Sequence, residues 1–284
     1  MTVCAVVVTH NRRDLLIECL DRLQGQSRSP DGILVVDNAS TDGTADLLAR
    51  RDGIDVERLE ENVGGAGGFR HGLETAYRAG YDWLWLLDDD TFAEESALDE
   101  LLAGARRAPH PPSVLSSVVR WRDSTLHPMN GPWLRKRRGE MAEAADHRLA
   151  PIRAATFVST MVHKDAVERH GFPPGHYFVW LDDIEYTARI LRNEHGYVVP
   201  QSTVVHYTPK PYNTVTDTRE RFYFKVRNQL WLLRGQSLGP RERLDYARSW
   251  LGAIVTYVRR SRPRRAAIAT VLRGLRDGLR REPE

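Results

Sequence analysis

The chain has 284 residues, 41% hydrophobic and 28% charged. That composition excludes wholesale disorder and supplies enough length for one large α/β domain with a helical appendage. Only two cysteines occur, Cys4 and Cys19, both in apolar segments, and the opening residues lack a secretory leader, so reduced thiols and a cytosolic setting are expected.

Val3–Thr9 reads as a buried strand, and Leu15, Leu16, Cys19, Leu20 and Leu23 mark the apolar face of the helix after it. Ile33–Asp37 is a second strand, with Ser40–Asp42 offering capping side chains to a helix through Leu47 and Leu48. Val56–Leu59 forms a weaker third strand, followed by the glycine-rich Asn62–Gly68 and a helix to Ala79. Trp83–Leu87 is a fourth strand that runs straight into Asp88, Asp89 and Asp90. This alternation is the pattern of parallel βαβ units.

Ser113–Trp121 reads as a fifth strand, and the polar stretch to about Ala150, with Pro128, Pro132 and the basic Arg135–Arg138, as a functional loop or partly ordered insertion. Ile152–Val162 returns to strand character, Lys164–His170 and Leu181–Glu194 read as helices, and Val204–His206 closes the sheet. From Thr218 onward the period is helical. The expected division is an α/β domain over residues 1–232 and a helical extension over 233–284. Although the whole chain carries a formal charge of only +3, residues 234–284 hold 13 Arg against five acidic residues. A segment of that kind is a solvated face or meets an acidic partner.

Ligands of parallel α/β sheets bind beyond the carboxyl ends of the strands. The polar residues there are Thr9, His10, Asn11 and Arg12, then Asp37, Asn38 and Ser40, then Asn62, then the three aspartates. Asp88 and Asp90 are two apart on an extended segment, so they lean to one side while Asp89 points away. Two convergent carboxylates invite a hard cation, Mg²⁺ or Mn²⁺, with open positions for phosphates; the alternative is an acidic turn capping a helix over Ala93–Arg107. Gly64, Gly65, Gly67 and Gly68 permit close backbone approach to a ligand, or simply make a turn and a helix start. Asp182 and Asp183 fall at a helix start, as a cap or as a proton acceptor with an orienting neighbour. His206, alone, is more often the pattern of a hydrogen-bonded structural histidine than of a metal ligand.

In this order, VVVTHNR, VVDNASTDGT, ENVGGAGGF, WLLDDDT, FVWLDDIEYTARI, VVHY and RFYFKVRNQ resemble the family-2 glycosyltransferases with the GT-A fold, across roughly residues 3–232. Within that family the pattern looks most like actinobacterial cell-wall galactofuranosyltransferases, and family-2 rhamnosyltransferases using dTDP-rhamnose share much of it. The resemblance implies an α/β, GT-A-like, mostly parallel sheet flanked by helices, a UDP-galactofuranose donor and a lipid-linked glycan acceptor. It implies that Thr9 and the Asn11, Arg12 and Arg13 turn line a uridine pocket, with Asp37 reading the base, Asn62 closing the ribose side, and Gly65, Asp88 and Asp89 along the donor. It further implies Asp88, Asp90 and His206 as ligands of the divalent ion, Asp183 as general base and Asp182 in support. Trp180 departs from the pattern because Leu181 separates it from the acids.

A sugar-nucleotide pyrophosphorylase is the rival enzyme, but no early glycine-rich phosphate loop precedes the third strand. A nucleic-acid-binding role for the arginine-rich tail lacks any reader motif, so no nucleic acid is expected. The apolar run Trp250–Val258, bounded by Arg248 and by Arg259, Arg260, Arg262, Arg264 and Arg265, is too short to span a bilayer. Ile254, Tyr257 and Val258, with Ile268, Val271, Leu272 and Leu275, lie on an anionic membrane surface, at the inner face of the plasma membrane, pack against the catalytic domain, or do both.

Overall fold

A computed structural model describes residues 1–210 and 221–280; Pro211 and Thr218 lie outside the described residues. Strands β1 (Val3–Thr9), β2 (Gly32–Asp37), β3 (Asp55–Arg58) and β4 (Trp83–Asp88) alternate with helices α1 (Arg13–Gln24), α2 (Thr44–Leu48) and α3 (Gly64–Arg78). Then come β5 (Thr91–Ala93), α4 (Ala97–Arg107), β6 (Pro112–Arg120), β7 (Trp133–Leu134), α5 (Arg138–Asp146), β8 (Ala150–Ala154) and β9 (Thr160–His163). The chain continues through α6 (Lys164–His170), a 3₁₀ turn at Gly175–Tyr177, α7 (Asp182–Ile190) and β10 (His195–His206), and ends in α8 (Phe222–Arg234), α9 (Pro240–Arg260) and α10 (Arg264–Arg280).

The strands pair in the order β3-β2-β1-β4-β9-β6-β10-β8-β7, and β5 pairs with β10 off this path. β3, β2, β1 and β4 run parallel, as do β6 and β10, while β9 is antiparallel to both β4 and β6. All seven residues of β1 are buried, because helices cover both faces. Val3, Ala5 and Val7 pack with Leu16, Cys19, Leu20 and Leu23 of α1, whereas Cys4, Val6 and Val8 pack with Phe69, Leu73 and Ala76 of α3. Both cysteines are free and buried, and burial pushes the Cys4 thiol up to about 12, so it is unreactive at neutral pH.

Several elements differ from the pattern in the sequence. The stretch 152–162 splits into β8 and β9, which pair with different neighbours. The segment after the aspartates begins as strand β5, so the helix starts at Ala97 instead of Ala93. Within 122–150 the chain forms β7 and α5. The helix expected over Leu181–Glu194 is the shorter α7, and β10 extends back to His195.

Gly64, Gly65, Gly67 and Gly68 fall in the first turns of α3, the helix-start alternative of the sequence pattern. Further along α3, Gly72 allows the helix to lie against the sheet: a Cβ there would stand 2.5 Å from Val6 Cγ1 and 2.9 Å from Val36 Cγ2. Gly72→Val should therefore lower stability by about 1–3 kcal/mol through overpacking, read as a fall in the urea midpoint at constant slope. Gly139→Ala, whose added Cβ meets nothing within 4 Å, should leave the midpoint unchanged or raise it slightly.

Candidate active site

The C-terminal ends of β1, β2, β4 and β10 open on one edge of the sheet, and β5 decides what meets there. After Asp88 the chain turns and β5 pairs antiparallel with the end of β10, setting Thr91 opposite His206, Phe92 opposite Val205 and Ala93 opposite Val204. The Tyr207 amide donates to the Asp90 carbonyl at 2.7 Å, which fixes the turn against the strand. One ligand atom each from Asp88, Asp90 and His206 then lies within 4.8 Å of the others. His206 Nε2 stands 3.0 Å from Asp90 Oδ1 and 3.8 Å from Asp88 Oδ2.

Asp89 turns off this cluster, accepting from the Thr9 hydroxyl at 2.8 Å and from Arg12 Nη1 at 3.3 Å. Arg12 also donates to Asp90 Oδ2. Against the burial that would raise it, His206 and Arg12 hold the Asp90 carboxyl down at about 2. Burial alone would lower the His206 pKa, but Asp90 and Asp88 raise it. Burial drives Asp89 the other way, up to about 7.

This donor set fits a divalent ion. Among the described residues Asp90 Oδ1 is a buried oxygen without a well-formed hydrogen bond, 3.0 Å from His206 Nε2. Two carboxylates suit Mg²⁺ or Mn²⁺, and the imidazole favours Mn²⁺ of the two. The other imidazole nitrogen is spoken for: His206 Nδ1 donates to Asn130 Oδ1 at 2.8 Å, and Asn130 Nδ2 donates to Thr156 Oγ1 at 3.1 Å, which orients the amide. Asn130 thereby leaves Nε2 as the nitrogen that faces the aspartates.

Around the ends of β1 and β2 the contacts are denser. Asp37 accepts the Ser40 amide at 2.9 Å through Oδ1, while its buried Oδ2 lacks a hydrogen bond among the described residues. Asn38 ties β2 to the start of α3, receiving the Val63 amide at 2.9 Å and donating to Asn62 Oδ1 at 3.1 Å. Asn11 is engaged with the Thr41 amide at 2.7 Å, and Arg13 is exposed. Gly65 lies in the first turn of α3 with open space where a Cβ would be.

The acidic pair enters from α7. Asp182 is buried, while Asp183 is half-buried and accepts the Ile184 amide at 2.7 Å. Desolvation pushes the Asp183 carboxyl up to about 7, and Asp88 is near enough to add to the rise. Just before this pair Phe178, Trp180 and Leu181 hold φ values of 67°, 68° and 73°. For non-glycine residues such backbone costs about 1–3 kcal/mol each.

The strand-end pattern marks Asn38 but gives no sign of Asn130 or Thr156. Asn130 and Thr156 are isolated polar residues whose partners are distant in sequence.

Residues 4–171 match the family described as Glycosyl transferase family 2. The chain belongs to that family. This family-2 chain is 34% identical over 201 residues to the galactofuranosyltransferase GlfT1 of Mycolicibacterium smegmatis, covering 67% of this chain and 66% of that relative. The chain thus spans just under two thirds of that relative's length. Among solved structures it resembles S. aureus TarS 1-349 in complex with UDP-GlcNAc, with a TM-score of 0.67 at 15% identity over 98% of this chain and 81% of the other. It also resembles the mannosyltransferase PcManGT of Pyrobaculum calidifontis in complex with GDP-Man and Mn²⁺, with a TM-score of 0.56 at 19% identity over 98% and 85% of the two chains. The fold of this family-2 chain is GT-A-like, a mostly parallel central sheet flanked by helices with a helical C-terminal region.

If Asn130 orients His206, Asn130→Leu should weaken Mn²⁺ binding about 10- to 100-fold, measured as free Mn²⁺ by electron paramagnetic resonance. Asn130→Asp, which keeps an oxygen acceptor, should stay within a few-fold of wild type. Wild-type affinity in the leucine variant would remove Asn130 from this role.

Proposed function

We propose that this glycosyltransferase moves galactofuranose from UDP-galactofuranose to a hydroxyl of a lipid-linked cell-wall glycan, by a single displacement that inverts the anomeric centre. The observation that carries the reading is the convergence of Asp88, Asp90 and His206 beside the acidic pair of α7. The galactofuranosyltransferase relative supports the sugar, and the UDP-sugar complex of a structural neighbour supports the nucleotide.

When bound by Asp88, Asp90 and His206, Mn²⁺ or Mg²⁺ supplies charge compensation for the departing diphosphate. Asp37 Oδ2, which accepts no hydrogen bond among the described residues and lies 3.7 Å from Arg58 Nε, offers an acceptor for the N–H edge of a base at the end of β2, with Asn62 and the turn from Thr9 to Arg13 along the nucleoside. Arg12 and Thr9 keep Asp89 in place behind the ligands, and Gly65 opens the start of α3 toward the donor. Asp183 takes the proton of the acceptor hydroxyl, and Asp182, behind it, supports the acceptor. A carboxylate poised near 7 is a far better base at neutral pH than one at its ordinary value.

A panel of UDP- and dTDP-sugars, followed by nucleotide release, tests the donor. Release from UDP-galactofuranose that stops with EDTA is expected; near-normal release with EDTA, or release from dTDP-rhamnose alone, overturns the reading. In the same assay Asp183→Asn should lower transfer by about 10²–10⁴ while UDP still binds. Because the base must be ionised, wild-type transfer should rise with pH through about 7, and this limb should vanish in the asparagine variant.

Membrane contact belongs to the same proposal. Among the described residues no helix is long and apolar enough to cross a bilayer. The stripe read from the sequence divides in the structure: Tyr257 and Val271 are buried with Phe222, Val226, Trp250 and Ala267, and Ile254, Val258 and Leu275 pack on them. Other residues face outward, Leu244, Leu251 and Val255 on α9 and Ile268, Leu272 and Leu279 on α10, with the arginines of 259–265 at the turn between the helices. Apolar side chains beside a basic cluster suit an anionic lipid surface, at about 1 kcal/mol per well-placed Arg. The protein should sediment with anionic vesicles at low salt and be released by high salt or by neutralising Arg259, Arg260, Arg262, Arg264 and Arg265; if it stays in the supernatant at low salt, docking through this face is excluded.

A further inference from the structure

The paired Arg227 and Asn228 of α8 belong to the RFYFKVRNQ segment, and neither carries a part of the chemistry above. Both are buried, at 6% and 0% exposure, an unusual place for a guanidinium. Their hydrogen bonds converge on one short segment. Arg227 Nη2 donates to the carbonyls of His176 at 3.1 Å and Tyr177 at 2.8 Å. Asn228 Nδ2 donates to those of Tyr177, Val179 and Trp180, each at 2.9 Å. Arg227 Nε donates to Asn228 Oδ1 at 2.9 Å, which turns the amide nitrogen toward the carbonyls, and the guanidinium lies over the Trp231 ring at 4.3 Å.

The segment they grip is the one with three non-glycine residues at positive φ, Phe178, Trp180 and Leu181. Its other side is held by the start of α3, where the Ala66 amide donates to the Phe178 carbonyl at 3.1 Å and Gly64 lacks the Cβ that would overlap that carbonyl. Leu181, in the left-handed region, is the residue from which α7 starts, so its backbone sets the direction of Asp182 and Asp183.

We propose that Arg227 and Asn228 are positioning residues that hold residues 177–181 in a conformation those residues disfavour, and thereby aim Trp180 and the acidic pair at the acceptor. This rests on the reading of α7 as the acceptor side. The hydrogen bonds do locally what glycine would do by permissiveness: they make positive φ the lower-energy state at positions whose side chains oppose it. Non-glycine residues are then retained where the site needs their side chains.

Relief of strain tests this, because a structural role alone does not predict it. Asn228→Leu should lower transfer by about 10²-fold, leave UDP and Mn²⁺ binding within a few-fold, and raise hydrogen–deuterium exchange across residues 176–185 without changing β1 or β4. Leu181→Gly placed in that background should lower the exchange again and recover at least about tenfold of transfer, since glycine accepts the left-handed backbone unaided. Asn228→Ser, with one hydroxyl for three carbonyls, is read the same way if the leucine variant does not fold. Unchanged exchange over 176–185, or no recovery with Leu181→Gly, overturns the proposal. The exchange readout is independent of chemistry: if exchange responds as described but Asp183→Asn transfers normally, the acceptor-side reading fails and the clamp stands.

Discussion

Three residues of antiparallel pairing between β5 and the end of β10 govern this molecule. Without them β4 would deliver its aspartates to an open edge of the sheet, far in sequence from any histidine. With them Asp90 and His206 come to 3.0 Å in a buried place. Gathering charge there is costly unless each member is compensated, and the surrounding residues do that work: Arg12 spans Asp89 and Asp90, Thr9 holds Asp89, and Asn130 takes the far side of the imidazole.

The same residue type serves opposite ends within a small volume. Asp90 is held near 2 by a histidine and an arginine, so it is ionised under all ordinary conditions and suited to holding a cation. Asp183 goes the other way: the surrounding protein desolvates it and its carboxyl rises to about 7, which suits proton transfer. Environments that push like groups apart are how one site assigns a fixed charge and a working base. The split follows the chain, since the candidate cation ligands come from the end of β4, the turn after it and β10, and the proposed base from α7.

What the sequence made legible was whatever depends on local pattern. The parallel strands β1 to β4 announce themselves as apolar β-branched runs, the strand-end rule singles out Asp37, Asp88 and Asp90, and α6 has the boundaries its period implies. Less legible was whatever depends on a distant partner. Thr91–Ala93 looks like the approach to a helix until β10 pairs with it, and Asn130 looks like loop polarity until His206 arrives 76 positions later. The C-terminal stripe left two alternatives open for a related reason: helical period gives apolar faces on α9 and α10, and only the packing against Phe222 and Val226 of α8 shows which is covered. Trp180 and Leu181 could not be read as left-handed at all, because their identity argues against it and the residues that impose it lie on α8.

The polar stretch after β6 contributes Asn130 to the imidazole and, through His127, a ring set 4.9 Å from it. A segment that would ordinarily be free to vary in length and composition is therefore tied to the most constrained atom of the site. Grafting this stretch from a related enzyme, as one would to transplant a preference for a different glycan, carries the histidine's tautomer along with it. Only grafts that return an oxygen to the place of Asn130 Oδ1 leave the two properties separable.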